Sequence, residues 1–265
     1  MGLGDDMMWR GEAYQIHKRT GRSVRPVRKG RLSPRKESRV IWQDAEWIQD
    51  DGDVACETHP NQGKRWYNRR TPYRPKIAPY QFTTQEQRWW DLNLKPKQPY
   101  IIINPTQKKR TKCKFNKHWP HFKDLMLTLP RANYVHLTHA GQHEDVILAQ
   151  THQVYTPSAR QMMIAIKYAH VVITTEGAVH HAAGNFSIPT VVIRGSCIGS
   201  KTTGYANQIN IERKAPCNED ARIGCHTMSR CQECERTMQS IDVQTVQKAL
   251  EKCLALRDID ELNCK

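Results

Sequence analysis

The second half of the sequence predicts an α/β fold with a doubly wound parallel sheet. From residue 100 onward, short β-branched runs alternate with helical segments of roughly 8–12 residues, which is typical of βαβ units. The pattern is clearest at 171–195, where a β-branched run is followed by Gly177, a small-residue helix at 178–183 and a second run at 190–193. Ligands of such sheets bind at the carboxyl ends of the strands, so we expect a site at the turn containing Gly177.

The remaining elements of this half follow from the same alternation. Strands are expected at 100–103, 134–137, 154–155, 171–174, 190–193 and 208–211. Helices are expected at 122–129, 144–151, 159–169, 178–183 and 243–256. The helix at 159–169 would present Met162, Met163, Ile166 and Ala169 on one face, as a helix packed on a sheet does.

The turn at Gly177 has two interpretations. A glycine permits a sharp turn, and the first N–H groups of the following helix, with its dipole, suit a diphosphate. Many α/β domains contain such a unit without binding a ligand, so a purely structural role is the alternative. A nucleotide-dependent dehydrogenase is disfavoured because no Gly-x-Gly-x-x-Gly follows a strand.

The first 98 residues are less regular. A helix is expected at 7–20 and short strands at 23–27 and 40–42, whereas 60–97 is rich in proline, arginine and aromatic residues. Such a mixture can stack on nucleobases and neutralise phosphates, or can pack on its own domain. The residues assigned to acceptor binding on this basis are Arg65, Arg69, Arg70 and Trp89.

The net charge of +15 is unevenly distributed. The first 130 residues carry 27 Lys and Arg against 13 Asp and Glu, whereas the remaining residues carry 14 against 13. A basic half joined to a neutral half indicates a polyanionic partner for the basic half, and an ordinary solvated basic surface is the alternative.

Three segments resemble a known family. Gly177, His180, Ala182 and Ala183 fall on the pattern Asp-(Ser/Thr)-Gly-x-x-His-x-Ala-Ala, with Thr175 and Glu176 at its first two positions as a departure. The sequence Lys-His-Trp-Pro at 117–120 is similar to a Lys-x-Trp-Pro segment, and Gly-Asp at 4–5 to a first Gly-Asp loop. These motifs resemble those of the family 9 glycosyltransferases, which are heptosyltransferase-like enzymes. The resemblance is greatest to the members from tailed phages.

The resemblance implies a GT-B-like architecture, in which two Rossmann-like domains face a cleft. Residues 1–98 would form the basic acceptor-binding domain, 99–250 the Rossmann-like nucleotide-sugar donor domain and 251–265 a C-terminal tail. In the family a strand precedes the Gly-Asp loop, whereas here the loop motif stands at 2–6, so the N-terminal domain is expected to be abbreviated.

The resemblance also implies site residues. It places a diphosphate contact at Lys117 and a catalytic base at Asp5, with Asp6 beside it; by their position alone, these two carboxylates could instead cap a helix. Glu176 could bond sugar or ribose hydroxyls, and His180 could contact phosphate or lie in the core. The expected donor-binding set is Lys117, Glu176, Gly177, Ala178, Val179, His180, Lys201 and Thr203.

Four cysteines near the C-terminus have the spacing x7, x5 and x2, with one Cys-x-x-Cys pair. Four thiolates could hold a structural zinc ion, although the family carries cysteines here without an implied metal. The residues concerned are Cys217, Cys225, Cys231 and Cys234.

The function expected from these features is inverting, metal-independent glycosyl transfer from a nucleoside-diphosphate sugar to an anionic acceptor. Hydroxylated bases of phage DNA are the first candidate acceptor, because they fit the charge and would be reached by base flipping. Phosphorylated lipopolysaccharide core is the second. A non-catalytic nucleic-acid-binding protein with a degenerate Rossmann domain is the alternative from another class.

The sequence also bears on compartment. It has no apolar run of about 18 residues that could span a membrane, and charged residues interrupt the N-terminal stretch where a signal-peptide core would lie. We therefore expect a cytoplasmic protein, in the host cytoplasm if a phage encodes it.

Overall fold

The computed structural model describes residues 3–28, 31–32, 36–57, 74–105, 117–139, 148–195, 199–215 and 232–263. Its strands are β1 (Val24–Arg28), β2 (Arg31–Leu32), β3 (Val54–Glu57), β4 (Ile101–Asn104), β5 (Tyr134–Thr138), β6 (Thr151–Tyr155), β7 (Val171–Thr175), β8 (Thr190–Arg194) and β9 (Gln208–Glu212). Its helices are α1 (Leu3–Thr20), α2 (Lys36–Trp42), α3 (Thr84–Asn93), α4 (Phe122–Thr128), α5 (Ala159–Lys167), α6 (Ala178–Asn185), α7 (Ser200–Thr203), α8 (Gln232–Gln239) and α9 (Val243–Asn263).

The larger sheet is a six-stranded parallel sheet in the order β6-β5-β4-β7-β8-β9. In chain order this is 3-2-1-4-5-6, the strand order of a Rossmann fold. The order reverses between β4 and β7, so the crevice for a ligand is expected at the carboxyl ends of these two strands.

Successive residues of the central strands point to opposite faces of the sheet, as the pleat requires. Ile102 and Val172 join the core under α5 and α6, whereas Ile103 and Ile173 join the core that contains residues of α4 and α9. Both faces are therefore buried, which explains why these strands read as continuous apolar runs in the sequence.

The N-terminal part is a three-stranded sheet in the order β2-β1-β3, flanked by helices. β1 and β3 are parallel and are connected through α2, so they form one short βαβ unit, while β2 pairs with β1 in antiparallel fashion. Trp9 and Trp42 from α1 and α2 belong to the same buried core as Met163 and Ile166 of α5. The N-terminal part is thus a small α/β unit, and its core continues into the Rossmann domain.

A buried network of ion pairs connects the N-terminal part to the Rossmann domain. The Arg160 guanidinium of α5 donates to Asp44 Oδ1 at 2.6 Å and to both carboxylate oxygens of Glu86 at 2.6 and 3.0 Å. Arg10 of α1 donates to both oxygens of Asp44 at 2.8 and 2.9 Å and to the carbonyl of Ile41 at 2.6 Å. Both arginines are at most 1% exposed. Asp44 therefore joins α1 to α5 across the boundary between the sheets.

Most elements predicted for the Rossmann domain are confirmed, with ends shifted by one or two residues. Two predictions were wrong. Residues 40–42 lie in α2, because the short apolar run packs as one face of a helix on the core instead of pairing with a strand. Thr151 begins β6, where it pairs with Tyr134, so the helix predicted at 144–151 does not reach it; residues 144–147 lie outside the described part.

Two helices extend the sequence-based picture. α3 lies in a segment expected to be irregular, and its start is a capping box in which Thr83 Oγ1 accepts from Glu86 N–H and Glu86 accepts from Thr83 N–H. α9 continues to Asn263 with Cys253 buried, so residues 251–263 are helical and continue the element that packs on β7 and β8. Among the described helices, none is both long and apolar enough to cross a membrane.

Asp44→Asn should lower the free energy of unfolding by about 3–5 kcal/mol, because it gives the buried Arg10 guanidinium a neutral partner and removes one of the two carboxylates that Arg160 contacts. Urea denaturation measures this loss. The matched control is Asp50→Asn, since Asp50 pairs with Arg39 at 2.6 Å where both side chains are about half exposed; it should change stability by less than about 0.5 kcal/mol.

Asp44→Asn should also make the free energy of unfolding less dependent on pH under acidic conditions. Burial opposes ionisation of Asp44, but the hydrogen bond and charge of Arg10, with the Gln81 N–H and Arg160, lower its pKa below the ordinary 3.8. The folded state then binds this proton more weakly than the unfolded state, so the stabilisation is present above about pH 4 and is lost as pH falls through the lowered pKa. An equal acid dependence in wild type and Asp44→Asn would contradict this role.

Candidate functional site

The candidate site lies where β4 and β7 end side by side. Asn104 is the last residue of β4 and is paired in register with Thr174 of β7. Beyond β7 the chain passes through Glu176 and Gly177 into α6. This is the switch point of the sheet, and it holds the turn that the sequence singled out.

Lys117 reaches this turn from the other side of the crevice. Its ammonium forms an ion pair with Glu176 Oε2, and the two side chains are 27% and 9% exposed. The segment is held in place by Trp119, which is buried and whose indole N–H donates to the carbonyl of Ile241 at 2.8 Å. Burial alone would raise the pKa of Glu176, but the Lys117 charge holds it well below its ordinary value. The carboxylate is therefore ionised at neutral pH.

His180 fixes the turn from within α6. Its Nδ1 accepts the Gly177 N–H at 2.8 Å, and its Nε2 donates to the carbonyl of Thr203 at 3.2 Å. One nitrogen accepts and the other donates, so the ring is neutral, and burial accordingly lowers its pKa well below 6.5. His180 thus ties the start of α6 to α7 and is a core residue of the site, not a charged phosphate ligand.

His181 connects α6 to the N-terminal helix. Its Nδ1 lies 3.1 Å from the hydroxyl of Tyr205, and its ring is packed so closely on Gly4 that a Cβ there would come within 2.4 Å of it. Burial lowers the pKa of His181 to about 4, opposed by the charges of Glu176 and Asp5. Asp5 and its carboxylate are thereby brought to the same end of the sheet as Lys117.

Asp5 and Asp6 occupy the first turn of α1, which begins at Leu3 instead of at residue 7. Asp5 is half-buried and Asp6 is only 1% exposed. Acidic residues in a first turn also stabilise the helix through its dipole. The position of Asp5 and Asp6 is therefore compatible both with a role in stabilising α1 and with a role in the site.

Arg194, at the end of β8, was missed by sequence reasoning. It is fully buried and donates to Asn210 Oδ1 at 2.6 Å and to Thr203 Oγ1 at 2.8 Å. Its charge acts on Glu176 from beneath the turn. The signal was present, because Arg194 is a charged residue at the carboxyl end of a strand in which three apolar residues precede it.

Several predicted donor residues line the site and others support it. Ala178 is half-buried and Val179 is buried in the first turn of α6, while Lys201 is exposed on α7. Thr203 is buried, and both its hydroxyl and its carbonyl are used by Arg194 and His180, so it shapes the site from behind.

Gly177 serves a different purpose from the one predicted. Its φ of 167° is extended backbone that any residue adopts, so the turn itself does not require glycine. A Cβ built at Gly177 meets nothing within 4 Å. Because Gly177 has no side chain, the space in front of the turn stays open.

Of the predicted acceptor and cysteine residues, Trp89 and Cys234 belong to the part of the chain that the structure describes. Trp89 is half-buried against the core and lines a groove of about 600 Å³ between α3 and the edge strand β6, three strands away from β7. Arg65, Arg69 and Arg70 lie outside the described residues. So do Cys217, Cys225 and Cys231, whereas Cys234 is fully buried on α8.

The acidic and imidazole groups of the turn also meet a geometric criterion for a cation. Among the described residues, Glu176, His180 and His181 each offer one ligand atom within 4.8 Å of the others. However, both nitrogens of His180 are engaged and Glu176 already faces the Lys117 ammonium. The protein itself supplies the cation at this position.

Gly184→Ala should lower stability by about 1–3 kcal/mol, because its Cβ would lie 2.3 Å from the Tyr205 ring that anchors His181. Thermal or urea unfolding tests this. Gly177→Ala is the matched control and should leave stability almost unchanged, since its methyl group meets open space. Equal losses in both variants would refute the packing account.

Comparison with known proteins rests on structure. No protein-family model and no curated protein matches the sequence significantly. The iron-containing dodecameric glycosyltransferase TibC of enterotoxigenic E. coli H10407 superposes with a TM-score of 0.60 at 13% identity, over 95% of this chain and 73% of TibC.

Two further structures are less similar. The ADP-heptose lipopolysaccharide heptosyltransferase II of E. coli gives a TM-score of 0.49 at 17% identity, over 69% of this chain and 56% of that enzyme. A family 9 glycosyltransferase of Veillonella parvula DSM 2008 gives 0.46 at 12%, over 68% and 54%. This chain thus spans a little over half the length of these two proteins. The resemblance seen in the sequence is confirmed at the level of fold, whereas a phage origin gains no support. The chain therefore has a GT-B-like α/β fold, which it shares with the glycosyltransferase TibC.

Proposed function

We propose that this chain transfers a sugar from a nucleoside-diphosphate sugar at the crevice between β4 and β7. The observation that carries the proposal is the convergence of Lys117, the first turn of α6 and Asp5 at one switch point. The fold shared with TibC supports it, and heptosyltransferase II, named for ADP-heptose, suggests an ADP-sugar as the donor.

The roles follow from charge and position. Lys117 is the cation that would stabilise negative charge developing on the diphosphate leaving group, together with first-turn N–H groups of α6. Because this charge comes from a side chain, the transfer is proposed to need no metal ion. Asp5 is the proposed base that accepts the proton of the acceptor hydroxyl, with inversion at the sugar carbon.

The acceptor is proposed to be an anionic oligosaccharide of the lipopolysaccharide-core type. The comparisons support this substrate class better than hydroxylated DNA bases, since the similar structures include a lipopolysaccharide heptosyltransferase. Trp89 does not favour DNA either, because it lines a groove at the edge strand β6, three strands away from β7 and the turn that follows it. The basic first 130 residues fit either polyanion.

The test of function is the intact mass of acceptors after incubation with the protein and a panel of ADP-, UDP- and GDP-sugars, with and without EDTA. A mass gain on lipopolysaccharide core that EDTA does not abolish supports the proposal. A gain only on hydroxylated DNA would restore the DNA acceptor, and steep salt-dependent DNA binding without any transfer would favour the non-catalytic alternative.

Lys117→Ala should weaken binding of the donor nucleotide by 10-fold or more, on the order of a lost charge-assisted contact. Asp5→Asn should leave that binding within about twofold and reduce transfer by at least about 100-fold, the scale of a general base. Calorimetry with ADP and single-turnover assays give the two quantities. Equal loss of binding in both variants would refute the division of roles.

The cysteines near the C-terminus are proposed to bind a structural metal ion, zinc by the chemistry of four thiolates. TibC is described as iron-containing, which makes metal in this chain worth measuring for both elements. Mass spectrometry of the purified protein should find about one metal ion per chain, and Cys231→Ser with Cys234→Ser should remove it and lower the melting temperature. A metal-free wild-type protein that folds normally would rule this site out.

A further inference from the structure

Lys117, the residue proposed to bind the donor diphosphate, already has an anionic partner in the structure. Glu176 stands where the family pattern has serine or threonine, and its carboxylate lies against the Lys117 ammonium. The Glu176 side chain is 9% exposed and the Lys117 side chain 27%, so the lysine is the more accessible partner of the pair. A neutral hydroxyl at this position would have left Lys117 without this partner.

A donor diphosphate and the Glu176 carboxylate would compete for the same charge. Both are anions, and a diphosphate held by Lys117 and the first turn of α6 would lie beside residue 176, where like charges in a poorly solvated site repel. The two neutral histidines, His180 and His181, cannot offset this repulsion without taking up protons. Binding of the donor therefore requires the ion pair between Glu176 and Lys117 to break.

The surroundings allow such an exchange. Arg194 lies beneath the turn as a fixed, buried cation whose charge acts on Glu176. Its own hydrogen bonds go to Thr203 and Asn210, so it stays in place whichever anion Lys117 holds. Gly177 leaves open space in front of the same turn. A carboxylate released by Lys117 thus remains near positive charge.

We propose that Glu176 is an exchangeable counter-anion that holds Lys117 in the empty site and is displaced by the diphosphate of the donor. Glu176 thereby determines how tightly the site binds a diphosphate, and ligands that carry more negative charge than a carboxylate displace it best. The inference rests on the proposed function, because it concerns the same site.

The experiment is calorimetric titration of the full chain with ADP. Glu176→Gln and Glu176→Thr both remove the charge, and the second restores a residue of the family pattern. Both should bind ADP about 5-fold or more tightly than wild type. Glu251→Gln, which removes an exposed carboxylate on α9, is the matched control and should bind as wild type does. In the Lys117→Ala background the gain from Glu176→Gln should fall by more than half, because no lysine is released.

Each other outcome is informative. Unchanged ADP affinity in both Glu176 variants, with weaker binding by Lys117→Ala, would overturn the exchange and keep the proposed function. Weaker binding in variants that melt like wild type would also overturn it, by making Glu176 a direct ligand contact. Failure of both variants to fold would assign Glu176 to the scaffold. If wild type and all variants bind no ADP, the proposed function fails and takes this inference with it.

Discussion

The carboxylate of Asp44, shared between Arg10 and Arg160, is the interaction on which the arrangement of this chain depends. Two guanidinium groups buried to 1% exposure or less are tolerable only when their partners are complete, and those partners come from both parts of the chain. The network therefore forms only when α1 and α2 are docked on α5. Docking in turn lays the start of α1 over α6, which is how Asp5 comes to share the switch point with Lys117.

The site built at this point is asymmetric in charge. Its two histidines are buried and neutral, so the charged side chains of the site are Lys117, Glu176, Arg194 and Asp5. Lysine is a compact charge on a flexible stem, suited to following one anion or another, whereas Arg194 is fixed by hydrogen bonds to Thr203 and Asn210. Under the proposed function, Lys117 would follow the diphosphate while Arg194 stays in place.

The fold shared with TibC supports the proposed donor site, whereas the proposed acceptor site has less structural support. In GT-B enzymes the N-terminal domain receives the acceptor, and the described residues of that part of this chain form a three-stranded sheet with flanking helices. Its core is continuous with that of the Rossmann domain, so the two parts are packed together and not merely tethered. Under the proposed function, the acceptor would be attracted by the excess of Lys and Arg in the first 130 residues.

The sequence alone determined the Rossmann half, because β-branched runs buried on both faces and amphipathic helices such as α5 are local patterns. It also singled out the turn that the structure places at the switch point of the sheet, since Gly177 and His180 lie within four residues. The same reasoning failed at 40–42, where a short apolar run fits either a strand or a helix, and overlooked the capping box that starts α3. Only the tertiary structure decided that Arg160 meets Asp44, 116 residues away, and that Lys117 meets Glu176. Ion pairs between distant residues leave no periodicity in a sequence, because their geometry arises when the elements that carry them pack together.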